Sequence, residues 1–240
     1  MWYFICPLPD TTVSIITLYL QQISLWYDYK DKECEITPEK TKLMEGRKIT
    51  SRLVPQDIGN MSPRCKEILR RLPGDSLKGK YAPVNVIGTL MYNPDTLETF
   101  LDYWITSKLK MGLTVREQEL VILRMAVHHR CNYVWKHHVP VAVEFGVTDD
   151  LLDAVKEFPL PSVFNTREEA LLQLTDELMT ERDIRDEVFE TYHSQLRDSE
   201  LIDLISLVSQ YVFFSLANNA LRVEIEPALG EISGITGVKS

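Results

Sequence analysis

The chain is predicted to be all-α, and three observations carry that prediction. Apolar residues recur at helical spacing in segment after segment, and helix-start signals such as Ser62-Pro63, Asn93-Pro94 and Thr114-x-x-Glu117 stand ahead of them. No stretch alternates apolar and polar residues between turn signals, as a half-buried strand would. A length of 240 residues, 45% hydrophobic and 25% charged, suits one sizeable core with an extension rather than two domains.

Residues 1–50 read as an N-terminal extension and charged linker. The stretch from Met1 to Tyr27 is apolar and aromatic, with Asp10 its single charged side chain. It lacks the basic start of a secretory signal, and Pro7, Pro9, Asp10 and Gln21-Gln22 interrupt it below a convincing membrane span. It reads as a docking arm, with a peripheral membrane contact and a segment foreign to the ancestral domain as the other readings. Residues 28–48 mix charges and hold few large apolar groups, which fits a solvated linker with a short helix after Thr37-Pro38.

A helical domain over residues 51–230 follows, with a fraying tail at 231–240. Ser62-Pro63 opens a short helix through Leu72, which Pro73-Gly74 stops, and residues 74–83 are loop. Asn85 is placed as the cap of a turn reaching Met91. Asn93-Pro94 starts a helix striped by Leu97, Phe100, Leu101, Trp104, Ile105 and Leu109, closed by Gly112. Thr148 caps a short helix ending before Pro159, and Thr166 to Glu169 looks like a capping box for a helix with Ala170, Leu171, Leu174 and Leu178 inward. Asp183 is expected to cap another helix. Asp198 or Ser199 opens the last and most apolar one, in which Tyr211, Asn218 and Asn219 are polar interruptions without an assigned role.

Between these lies the most informative stretch, Leu113 to Phe145, read as two consecutive helices. It holds His128, His129, His137 and His138, four of the five histidines, together with Cys131 and Glu119. In the first helix Glu119, Ile122, Leu123, Ala126 and Arg130 recur at helical spacing, which turns Glu119 inward. A buried carboxylate must find a partner or take up a proton. In the second, Cys131, Val134, Trp135, His138, Val141, Ala142 and Phe145 share a face, seven residues being only about 20° short of two turns. Pro140 is expected to kink this helix, and Gly146 to end it.

At these residues the chain resembles the carboxymuconolactone decarboxylase family, which includes the alkylhydroperoxidase D-like proteins. The redox branch of that family carries E-x11-C-x2-C-x3-H, and Glu119, Cys131, Val134 and His138 fall on its four positions. Three of the four match. EQELVILR and HHVPVAVEFGVTDD also look like the family, so the resemblance runs from roughly Arg52 to Pro227. It implies an alkylhydroperoxidase D-like helical fold, a homo-oligomer, and an active site on the helix pair near a subunit interface. Val134 stands where redox members have their second cysteine, so the dithiol cycle is not available from this motif. The resemblance then points to the non-redox branch, a lyase in which Glu119 and His138 transfer a proton on a small carboxylated lactone or related organic acid, without a cofactor or metal.

In that reading Glu119, His138 and Cys131 are the catalytic candidates, and Arg130, Trp135 and Tyr133 the substrate-binding ones. Each has a plainer reading: Glu119 as an ion-paired helix carboxylate, His138 as a core histidine, Cys131 as a small buried side chain, Arg130 as a helix-end charge, and Trp135 and Tyr133 as core. Two other functions stay open, a single-cysteine thiol peroxidase or redox sensor using Cys131, and a catalytically inactive helical interaction protein. His128, Cys131 and His138 have metal-donor chemistry without a specific zinc spacing. A net charge of −9 argues against nucleic acid or an anionic membrane as the main partner. Four widely spaced cysteines with no C-x-x-C pair suggest a reducing, cytoplasmic setting.

Overall fold

In a computed structural model the chain is described over residues 51–72 and 82–235. The elements there are helices α1 (Pro63–Leu69), α2 (Val84–Leu90), α3 (Pro94–Lys110), α4 (Val115–His128), α5 (Asn132–Glu144), α6 (Asp149–Ala154), α7 (Thr166–Thr180), α8 (Asp186–Tyr192) and α9 (Asp198–Leu221), with three short 3-10 turns. No strand occurs among the described residues, and the domain is all-α. The expected arm at 1–27, the linker at 28–48, most of the 74–83 loop and the end of the tail lie outside the described residues.

Helix α4 is the axis on which the others are hung. Every residue from Glu117 to Val127 is buried, because α5, α7 and α9 pack around it. A helix covered on all sides must hold any polar group it carries in a defined bond. Its N-terminus is closed by the expected box, with Thr114 Oγ accepting from Glu117 N at 3.3 Å and Glu117 Oε2 accepting from Thr114 N at 2.8 Å. At its other end Cys131 N donates to Ala126 O at 2.8 Å and Arg130 N to Val127 O at 3.0 Å, a Schellman closure. This motif needs a left-handed residue, and Arg130 supplies it with φ 50°. Helix α5 ends the same way, but with Gly146 at φ 85°.

Several boundaries differ from the sequence reading for local reasons. Asn165, not Thr166, caps α7, accepting from Glu168 N at 2.9 Å while Glu168 returns a bond to Asn165 N. Asn85 lies inside α2 and donates to Glu224 O at 2.8 Å instead of capping. Thr148 precedes α6 without a side-chain bond, and Asp183 accepts only from its neighbour Ile184 N. For α9 the closing group is Glu200, whose carboxylate accepts from Arg197 N at 2.8 Å. Helix α5 runs through Pro140 to Glu144.

Helix α9 is long and apolar enough to cross a membrane by length and composition. One side of it packs against α3, α4, α5 and α7 and buries Leu204, Leu207, Val208 and Tyr211, while Ile202, Ile205, Phe213 and Leu216 on the other side are exposed.

Candidate active site

The site is assembled from four helices. Glu119, on α4, is 1% exposed, and the stripe that placed it inward brings it against α3 and α5. Its Oε1 accepts from Lys108 Nζ of α3 at 2.9 Å, and its Oε2 lies 2.5 Å from His138 Nδ1 of α5. On the other edge of the imidazole, His138 Nε2 is 3.1 Å from the Tyr211 hydroxyl of α9, with the two rings edge to face. Lys108, Glu119, His138 and Tyr211 therefore form one continuous hydrogen-bonded line through the core.

The charges along that line follow from burial and neighbours. Burial alone would raise the Glu119 carboxyl, but the Lys108 ammonium and His138 outweigh it and hold the group down at about 2. Burial pushes the His138 imidazole below its ordinary value, against the pull of Glu119 in the other direction. At neutral pH this gives an ionised Glu119 between Lys108 and a neutral imidazole. Nδ1–H then donates to the carboxylate, and Nε2 is the acceptor that the Tyr211 hydroxyl faces. Such an imidazole can take a proton at Nε2, and the ionised carboxylate behind it stabilises the imidazolium that results. The His138 side chain is 16% exposed whereas Glu119 is closed off, so the ring is where the pair meets the outside.

The remaining sequence candidates sit differently. Cys131 caps α5 and is 0% exposed, and burial pushes its thiol pKa up. Arg130 was expected at the end of the Glu119 stripe. It lies instead past the helix end, exposed, because the left-handed closure turns the chain there. Trp135 and Tyr133, the other substrate-binding candidates, are buried in the core. The Trp135 indole donates to Ser233 O at 3.0 Å, and the Tyr133 hydroxyl donates to Glu226 Oε1 at 2.8 Å. Glu226 also takes His137 Nε2 at 2.7 Å, so this second network ties the C-terminal segment to α5. His128 pairs with Asp176 at 2.7 Å, and no metal-binding group of three or more acidic, histidine or cysteine residues occurs among the described residues.

Lys108 and Tyr211 were missed as site residues. Both carried a readable signal. Lys108 continues the Leu97, Leu101, Trp104 stripe by the next helical step, and Tyr211 lies on the face of Leu204, Leu207 and Ser215.

An all-helical domain with a glutamate and a histidine joined across its central helix pair is the class that fold and site define. Residues 94–177 match the model of the carboxymuconolactone decarboxylase family, and the fold is alkylhydroperoxidase D-like. Among solved structures, it is similar to the alkylhydroperoxidase AhpD core of a peroxidase-related protein from Ralstonia eutropha, with a TM-score of 0.65 and 19% identity over 75% of this chain and 94% of that one. The debrominase Bmp8 is similar at a TM-score of 0.60 and 18% identity, over 73% and 92% of the two chains. A peroxidase-related protein from Silicibacter sp. gives 0.56 and 13%, over 62% and 80%. These likenesses are of fold. No curated protein matches the chain significantly.

Proposed function

We propose that the protein is a proton-transfer enzyme of the carboxymuconolactone decarboxylase type, acting on a small carboxylated lactone or related organic acid. The observation that carries this reading is the 2.5 Å Glu119–His138 contact, with Lys108 keeping the carboxylate ionised and Tyr211 on the far imidazole nitrogen. When a vinylogous keto-acid loses carbon dioxide, the electron pair of the broken C–C bond passes into a dienolate. That dienolate must then receive a proton at carbon. In this reading the anionic substrate favours protonation of His138, the imidazolium delivers its Nε2 proton to carbon, and solvent returns one to the ring. Glu119 orients the ring and stabilises its charged form, and Tyr211 holds Nε2 in place between turnovers.

The buried, raised-pKa thiol of Cys131 gives the peroxidase alternative little support, because the reactive species would be an accessible thiolate. Decarboxylation of carboxymuconolactone in D2O tests the proposal. The product is expected to carry one carbon-bound deuterium, with kcat reduced roughly 10²- to 10⁴-fold in His138→Ala and Glu119→Gln, and less in Tyr211→Phe. Rates within a few-fold of the parent in the first two variants would remove both residues from the mechanism.

A further inference from the structure

The outer side of α9 is unlike the outside of an ordinary surface helix. Ile202 is 65% and Leu216 55% exposed, and Ile205 and Phe213 between them are also open, all at steps of three or four with Ser209 and Ala220. No charged side chain occurs on α9 after Asp203. A solvated helix face is usually polar, and a continuous apolar one marks a contact surface.

Beside it, α3 and α9 enclose a groove of about 570 Å³ whose walls include Thr96, Thr99, Phe100, Tyr103, Gln210 and Phe213. Gln210 is 2% exposed, and its Oε1 is buried without a hydrogen-bond partner among the described residues.

The chain itself says what is near enough to fill this surface. Its first described residues are fastened to the C-terminal end of α9: Ser51 Oγ donates to Arg222 O at 2.9 Å, Arg52 N to Leu221 O at 2.8 Å, and Arg52 Nη1 to Ala220 O at 2.9 Å. Upstream lie residues 1–27, with Trp2, Tyr3, Phe4, Tyr19, Trp26 and Tyr27 and a single charge at Asp10. From Leu221 to Ile202 the helix measures about 29 Å at its usual rise. Residues 28–50 can span up to about 75 Å, so the whole face is within reach of the segment they tether. A tether of that length holds a segment at roughly millimolar effective concentration.

We propose that residues 1–27 cover the outer face of α9 and the α3–α9 groove of their own chain, as an intramolecular apolar cover.

The test uses the full chain with the photo-crosslinking residue p-benzoylphenylalanine in place of Leu216 or Ile202, both open enough to accept it, and in place of exposed Val163 as a control. Unlabelled and 15N-labelled chains are mixed in equal amounts before irradiation, and the linked peptides are identified by mass. Positions 216 and 202 are expected to link to peptides from residues 1–27 of the same isotope, and position 163 is not. Replacing both Ile205 and Phe213 with Lys should lower the yield from position 216 by about tenfold, the loss of ~1.4 kcal/mol of contact. Mixed-isotope products, products joining α9 to α9, or the absence of the 1–27 peptides would overturn the proposal. So would co-flotation of the chain with phosphatidylcholine vesicles in place of the arm cross-link.

Discussion

Among the buried charged residues of helix α4, Glu119 and Arg124 lie five positions apart and face about 140° away from each other around the helix axis. Arg124 is 0% exposed and fully committed: Nε and Nη2 fork onto Asp176 at 2.7 and 2.6 Å, and Nη1 donates to Val155 O and Glu157 O, both at 2.7 Å. The Phe158 ring covers the guanidinium at 3.8 Å. Arginine does not give up its proton, so Arg124 has one state, and it clamps α7 and the end of α6 onto α4, with His128 Nε2 also 2.7 Å from Asp176 Oδ1. At Glu119 the buried α4 group is itself the partner of an imidazole, His138, whose proton can move and whose edge is partly open. Arg124 is held by four hydrogen bonds and is structural. The Glu119–His138 pair keeps a spare protonation state, which is what acid–base chemistry needs.

The largest effect should come from breaking the Arg124 cluster. Arg124→Met keeps most of the volume but leaves the Asp176 carboxylate with His128 alone and strands two backbone carbonyls, and is expected to destabilise the fold by about 3–5 kcal/mol in urea unfolding. A loss under about 1 kcal/mol would show that the clamp is not structural.

Acid separates the two clusters more finely. Glu119, held at about 2 against 4.5, contributes stability that is complete above pH 4.5 and lost as pH falls towards 2. His138 is also lowered, from 6.5, so the stability gained by burying it neutral is present above pH 6.5 and starts to be lost below that. Asp176 is lowered from 3.8, and its contribution holds until pH falls below 3.8. Between pH 6.5 and 4.5 the unfolding free energy of His138→Gln should therefore fall less steeply than the parent's, by up to ~1.4 kcal/mol per pH unit. Equal slopes would mean that the titrating group lies elsewhere, with His129, also lowered by burial, the first suspect.

The smallest effect concerns Arg130, which neither cluster uses. Arg130→Gly relieves a left-handed non-glycine residue at the cost of chain entropy, so stability should rise by between zero and about 1 kcal/mol. Decarboxylation by this variant should match the parent. A raised KM would return Arg130 to the substrate.

How much could be read beforehand differs between these regions. Glu119 and His138 were legible because each is a polar residue on an apolar stripe, and because the motif spacing singles both out. The inward turn of Glu119 also announced that a partner must exist. It did not say which. Lys108 and Tyr211 come from α3 and α9, and nothing along the chain links those positions to residue 119. Arg130 was misplaced by carrying the helical period one turn too far, past a closure that normally signals itself with glycine. Trp135 and Tyr133 were correctly on a buried face, but Ser233 and Glu226, which take their polar ends, arrive from the far end of the chain.

By itself the sequence determined the helices, the direction in which α4 and α5 turn their apolar faces, and the presence of an acid and an imidazole on those faces. These depend on spacing and capping within a few residues, where backbone geometry is short-ranged. Only the tertiary structure decided which groups touch, and with that the ionisation of Glu119, the neutral form of His138 and the closed state of Cys131. Those depend on burial and on charges brought within hydrogen-bond distance from other helices, and such distances exist only once the core has packed.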